Sequence, residues 1–149
     1  MPEVEIYTDG ACSCNPGPGG WGVVCLTPEG SIQAFSGFMA NTTNNYMELT
    51  AAIEGLKRYV NPHKIKLYSD SAYLINAFNQ NWIDNWLKNN FRTADKKPVK
   101  NKELWQQLIQ FNNFHTIQWI KVKGHADNKY NNMCDELARK QIEANVNVD

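Results

Sequence analysis

The sequence predicts an α/β fold: an antiparallel three-stranded meander followed by alternating helices and strands. Three observations carry this. Residues 3–9, 21–26 and 32–39 read as strands joined by short turns rich in glycine and proline. From residue 44 the apolar period lengthens from two to that of a helix. Beyond it, strand-like runs at 65–70 and 115–122 are separated by helical stretches.

In residues 3–9, Val4 and Ile6 face one way and Glu3, Glu5, Tyr7 and Asp9 the other, which puts Asp9 on a polar face where a carboxylate stays charged. Residues 10–20 are dense in turn formers and predict a tight irregular loop. Its residues alone leave open a plain hairpin turn or a backbone that approaches a ligand closely. Trp21 to Leu26 forms the second strand, Thr27 to Gly30 a turn, and Ile32 to Met39 the third strand.

Thr42 or Thr43 caps a helix over 44–60, with Leu49, Ala52, Ile53, Leu56 and Val60 on its apolar stripe and Asn61-Pro62 ending it. Glu48 lies one position off that stripe. An acid early in a helix suits the helix dipole, and here it can also point along the edge of the core. Ile65, Leu67 and Ser69 alternate with Lys66, Tyr68 and Asp70 in the fourth strand, and a helix follows over 71–78. Asp70 thus sits at a strand-to-helix switch, where ligands bind in α/β sheets.

Residues 82–91 carry Trp82, Ile83, Trp86, Leu87 and Phe91 at helical spacing, and Leu104, Trp105, Leu108 and Ile109 mark another helix. Between and beside them lie Lys88, Arg92, Lys96, Lys97, Lys100 and Lys102, against Asp95 alone. Solvated lysines on amphipathic helices are one reading; a basic, aromatic protrusion that grips a phosphate backbone is the other. His115 to Val122 forms the fifth strand. A loop carrying His125 follows, then a helix capped by Asn128, with Asp135 beside its apolar stripe. His63 and His115 flank strands and read as structural.

Composition bounds the function. Hydrophobic and aromatic contents of 42% and 11% are ordinary for a globular protein. No run approaches the ~20 apolar residues that span a bilayer. The acidic N-terminus has no apolar signal region, so a cytoplasmic, membrane-free protein is expected. Fifteen basic residues balance fifteen acidic ones. A neutral total argues against a nucleic-acid binder until the basic cluster at 88–102 is set against the acidic remainder. Cys12, Cys14, Cys25 and Cys134 lack the partners of a zinc site and are read as free thiols.

Asp9, Glu48, Asp70 and Asp135 are the candidate site. Four gathered carboxylates repel one another and raise each other's pKa unless a cation is present. An oxygen site with open positions suits magnesium, with manganese as substitute. Up to two such ions, roughly 4 Å apart, can flank a scissile phosphate. His125, titrating near neutrality, can relay a proton or help release product, or it is merely an exposed loop residue.

The segments YTDGAC (7–12), NPGPGGWG (15–22), TTNNYMEL (42–49), YSDS (68–71), TADKKPVKN (93–101), VKGHA (122–126) and CDELA (134–138) resemble bacterial type 1 ribonuclease H, in the family's order and over nearly the whole chain. The resemblance implies a single catalytic domain over 1–149 and a mixed five-stranded sheet ordered 3-2-1-4-5, flanked by helices. It implies magnesium-dependent endonucleolytic cleavage of the RNA strand in RNA–DNA hybrids, giving 5′-phosphate and 3′-hydroxyl ends, by a monomer with no obligate protein partner. Asp9, Glu48, Asp70 and Asp135 fall on the family's metal-binding carboxylates and His125 on its catalytic-loop histidine. Asn15, Asn44 and Asn45 match residues that contact the hybrid near its sugar edges, and Thr43 a DNA-phosphate contact. Tyr73 and Trp82 match the groove for the DNA strand, and Lys96, Lys97 and Lys100 the basic protrusion. Ala72 stands where many relatives carry a longer polar side chain that touches RNA, and Asn89-Asn90 make the protrusion less basic than in some relatives. The separate N-terminal hybrid-binding domain of some longer members is not expected.

Overall fold

The computed structural model describes residues 1–93, 95–123 and 128–146. The described elements follow in the order β1 (Glu3–Cys12), β2 (Gly17–Leu26), β3 (Ile32–Thr42), α1 (Asn44–Leu56), β4 (Lys64–Ser69), α2 (Ala72–Asn79), α3 (Trp82–Lys88), α4 (Lys102–Phe114), β5 (Thr116–Lys121) and α5 (Lys129–Asn145). The strands form one mixed sheet ordered β3-β2-β1-β4-β5, as expected. β1 is central. It pairs antiparallel with β2, Tyr7 opposite Val24, and parallel with β4, Ile6 opposite Leu67. β4 pairs parallel with β5.

Helices cover both faces. On one, Val4, Ile6 and Val23 of the sheet meet Leu49, Ile53 and Leu56 of α1, all buried. Trp105 and Leu108 of α4 join the same core and are fully buried. On the other face α5 lies across β1 and β2. There Tyr7, Val24 and Cys134 form a second, smaller cluster, and the Cys134 thiol donates to the Tyr7 carbonyl at 3.2 Å. Tyr7 also stacks on Tyr68, centroids 4.3 Å apart. None of the described helices is long and apolar enough to cross a membrane.

This second layer corrects the reading of β1. Tyr7 and Asp9 face a roof, not water: they are 9% and 5% exposed. The alternation of residues 3–9 shows two faces, but the cover on the second comes from a helix more than 120 residues later, beyond the reach of a local pattern.

The loop expected over 10–20 is also corrected. β1 runs on to Cys12 and β2 begins at Gly17, so only residues 13–16 turn. The glycines of this stretch make room. A Cβ on Gly20 or Gly22 would collide with the carbonyl oxygens of Ala138 and Cys134 in α5. Glycine inside a strand marks close approach by another backbone.

Two helices are shorter than expected. α1 ends at Leu56 instead of residue 60, and Val60 is 80% exposed, off the apolar stripe. The last turn tightens: Arg58 and Tyr59 N–H donate to the carbonyls three residues back, at 3.4 and 3.2 Å. α3 ends at Lys88 instead of residue 91, because Asn90 and Phe91 take left-handed backbone. The aromatics of α3 only half enter the core, whereas Trp105 enters it fully.

Candidate active site

The fold brings three of the predicted carboxylates together at one end of the sheet. Asp9 lies on β1, and Asp70 immediately follows the neighbouring parallel strand β4. Asp70 is held between two serines: Ser69 Oγ accepts from the Ser71 N–H at 3.0 Å, and Ser71 Oγ caps α2 by accepting from Leu74 N–H at 3.1 Å. Glu48 comes from the second turn of α1. Thr43, rather than Thr42, caps that helix, its Oγ1 accepting from Tyr46 N–H at 3.2 Å. Such a cap contributes about 1 kcal/mol.

Asp9, Glu48 and Asp70 each offer an oxygen, and these oxygens lie within 4.8 Å of one another. Asp135 lines the same cavity, of about 440 Å³. It stands outside the tight trio, with Oδ2 accepting from Arg139 Nε at 2.9 Å one turn along α5. The backbone N–H of Gly10 points at Glu48. A Cβ on residue 10 would lie 2.5 Å from the Glu48 nitrogen and the Met47 carbonyl carbon, so β1 and α1 approach this closely only over glycine.

The electrostatics are those of a site built for a cation. Burial, and then the charges of Asp70 and Asp135, push the Asp9 carboxyl up to about 8. Glu48 is raised well above the usual range by burial first and by Asp9 and Asp70 second, while the Gly10 N–H opposes the rise. Mutual repulsion was the expected cause; desolvation by the α5 roof and the helix–strand packing outranks it. A trio of hard oxygen donors that cannot all ionise alone fits a divalent ion of the magnesium class. Among the described residues no cysteine joins such a group, and all four thiols are free.

The other predicted site residues divide by location. Asn44, Asn45 and Tyr73 line the carboxylate cavity. Asn15 is not among the residues that line it; its Oδ1 accepts from the Asn44 N–H at 3.1 Å and ties the β1–β2 turn to the start of α1. Trp82 packs half-buried against the core, its ring 6.4 Å from Trp86. Lys96, Lys97 and Lys100 are exposed on the segment between α3 and α4, which is folded back on itself by the Arg92–Pro98 bridge. His125 lies outside the described residues.

Two asparagines had no assigned role from the sequence. Asn101, left-handed at φ 60, precedes α4 and donates from Nδ2 to the Tyr73 hydroxyl at 3.2 Å. Trp105 Nε1 donates to the same oxygen at 3.2 Å. The basic segment is thereby fastened to the helix that begins beside Asp70. Asn131 lines the carboxylate cavity and is buried. An asparagine early in a helix beside a second one, Asn132, carries no periodic signal that would single it out.

Residues 1–143 match the family model described as RNase H. The chain belongs to the ribonuclease H family. It is thus a nuclease, a hydrolase whose acidic trio is consistent with metal dependence. This ribonuclease H is 60% identical over 143 residues to the ribonuclease H of Caldanaerobacter subterraneus subsp. tengcongensis, covering 96% of this chain and 93% of that one. It is 55% identical to the ribonuclease H of Acetivibrio thermocellus, covering 97% and 98%. Among solved structures, LC9-RNase H1, a type 1 RNase H with the type 2 active-site motif, superposes with a TM-score of 0.85 at 25% identity, over 98% of this chain and 74% of that one. LC11-RNase H1, solved in complex with an RNA/DNA hybrid, gives 0.71 at 22% identity, over 95% and 97%.

Proposed function

We propose that this ribonuclease H hydrolyses the RNA strand of RNA–DNA hybrids at the cavity lined by Asp9, Glu48, Asp70 and Asp135. The observation that carries the reading is the trio of acidic oxygens within 4.8 Å, in a cavity also lined by Asn44 and Asn45. These four carboxylates would hold up to two magnesium ions, with manganese as substitute. Ions bound there would supply the positive charge that activates water and stabilises the leaving oxygen.

The protein's own groups supply placement. Asn15, Asn44 and Asn45 are assigned to reading the 2′-hydroxyls that distinguish the RNA strand. Thr43, Tyr73 and Trp82 are assigned to the DNA strand, and Lys96, Lys97 and Lys100 to its phosphates. His125 is assigned to proton movement as product departs. The products are 5′-phosphate and 3′-hydroxyl ends. The reading takes the enzyme to act as a monomer in the cytoplasm, without an obligate protein partner.

The test offers end-labelled RNA–DNA hybrid, duplex RNA and duplex DNA with magnesium and then with chelator. Hybrid alone should be cut, and only with metal. Cutting of duplex DNA, or of hybrid in chelator, would overturn the reading. Asp70→Asn should abolish cleavage while hybrid binding in calcium survives; loss of binding as well would give Asp70 a role in docking or folding.

A further inference from the structure

The first N–H groups of a helix have no partner within it. In α1 the Met47 N–H is the first to find one, the Thr43 carbonyl at 3.1 Å. The Tyr46 N–H goes to the Thr43 hydroxyl. A capping side chain reaches the second or third N–H of its helix, not the first. In α1 the first belongs to Asn44, and it is taken from outside: Asn15 Oδ1, 29 residues earlier, accepts it at 3.1 Å.

The same turn grips the residue on the other side of the cap. Cys12 Sγ donates to the Thr42 carbonyl at 3.3 Å, and Gly17 pairs with Thr42 in the β2–β3 ladder. Thr42 and Asn44 are thus both held by the β1–β2 connection, with the cap Thr43 between them. Asn44 and Asn45, which line the carboxylate cavity, ride on the turn of helix that this grip fixes. Glu48, one turn on, has an anchor of its own in the Gly10 N–H. Asn15 itself is exposed and is not among the residues that line the cavity.

We infer that Asn15 is a positioning residue, which acts on the hybrid through Asn44 and Asn45 by fixing the first turn of α1. The inference rests on the proposed function and divides its work among the three asparagines: Asn44 and Asn45 meet the RNA strand, and Asn15 sets where they stand. A side-chain amide has one oxygen, and here the helix occupies it. An aspartate keeps an acceptor at that place and suits a helix N-terminus. An alanine leaves the Asn44 N–H to water.

The experiment follows the Asn44 amide by hydrogen exchange in the free protein, and kcat and KM on labelled hybrid with magnesium, for the parent, Asn15→Ala and Asn15→Asp. In Asn15→Ala the Asn44 amide should exchange about fivefold faster, the size of one ordinary hydrogen bond. KM should rise by a similar factor with kcat unchanged, the mark of lost binding that ground state and transition state share. Asn15→Asp should protect the amide as the parent does. The Asn15→Ala change is then repeated in a chain that already carries Asn44→Ala and Asn45→Ala. There it should leave KM where it was, because the side chains it positions are gone, and a mutant cycle reads that coupling. The inference is overturned by an Asn44 amide that exchanges at the parent rate in Asn15→Ala, by one that Asn15→Asp fails to protect, or by a KM effect as large without the two side chains as with them. A parent that cuts no hybrid would bring down the proposed function and this inference together; a parent that cuts, with effects that simply add, brings down this inference alone.

Discussion

The backbone N–H of Gly10 donates to Oε1 of Glu48 at 2.6 Å. The residue after the first carboxylate thus holds the second, across the junction of β1 and α1. Gly10→Ala tests this junction. The new Cβ would meet the main chain of Met47 and Glu48, which cannot swing aside as a side chain can. The variant should lose about 1–3 kcal/mol, the usual range for overpacking, and most of its activity. Urea unfolding and hybrid cleavage measure the two, and a variant as stable and as active as its parent would show that α1 can shift at no cost.

The raised carboxyl of Asp9 gives a pH prediction. An unfolded aspartate ionises near ~3.9, whereas the buried one is held up to about 8. Between these values the unfolded chain has released a proton that the folded chain retains, so stability falls as pH rises through this window. In chelator the parent's melting temperature should fall from pH ~5 to ~8, on the pKa difference just given. Asp9→Asn should flatten part of that fall and melt higher at the alkaline end. Parallel curves for the two proteins would remove Asp9 as the source.

Arg139 competes with any cation for Asp135, through its 2.9 Å contact with Oδ2. The arginine side chain is 57% exposed, so the pair contributes little to stability. Arg139→Ala should change stability by less than about 0.5 kcal/mol. It should also lower the magnesium concentration needed for half-maximal activity, by about two- to fivefold. A magnesium titration reads this directly, and a higher midpoint would mean that Arg139 orients Asp135 instead of occupying it.

The Tyr73 hydroxyl accepts from both Asn101 and Trp105. Tyr73→Phe leaves the indole N–H of a fully buried tryptophan without its acceptor, at a cost of about 1–3 kcal/mol. It also releases Asn101, the residue that ties the lysine-bearing segment to α2. Urea unfolding should show the stability loss, and hybrid binding at rising salt should show weakened affinity. An unchanged unfolding midpoint would mean that water replaces the hydroxyl.

The parts of the site legible in the sequence are those that local rules govern. A carboxylate on the first strand, another just after β4, and a third placed by a capped helix each follow from a short stretch of residues. So does the meander, down to the turn in which Gly30 N–H donates to the Thr27 carbonyl at 3.0 Å. What local rules miss is contact between distant segments. Gly19 and Gly20 read as a loop because close neighbours of theirs, Thr42 and Met47 beside Gly19 and Ala138 beside Gly20, lie far along the chain and are invisible in the local pattern. Helix α5 likewise turns the polar side of β1 into an interior. The end of α1 was overrun because Val60 fits the apolar period, while Pro62 disfavours helix for the residue before it. Asn131 has no signal in the sequence because its burial in the cavity wall is a property of surroundings and not of spacing.

One feature of the packing reaches further than stability. Gly20 and Gly22 let the main chain of α5 rest on the main chain of β2, and Gly22 is the partner of Asp9 across the β1–β2 ladder. The helix that carries Asp135 is therefore shimmed against the sheet by peptide groups, whose thickness does not vary with sequence. Core side chains on the α1 face can be exchanged without altering that shim. The span between the first carboxylate and the last is a gauge cut in backbone, and it survives drift in the residues around it as long as those two glycines stay bare.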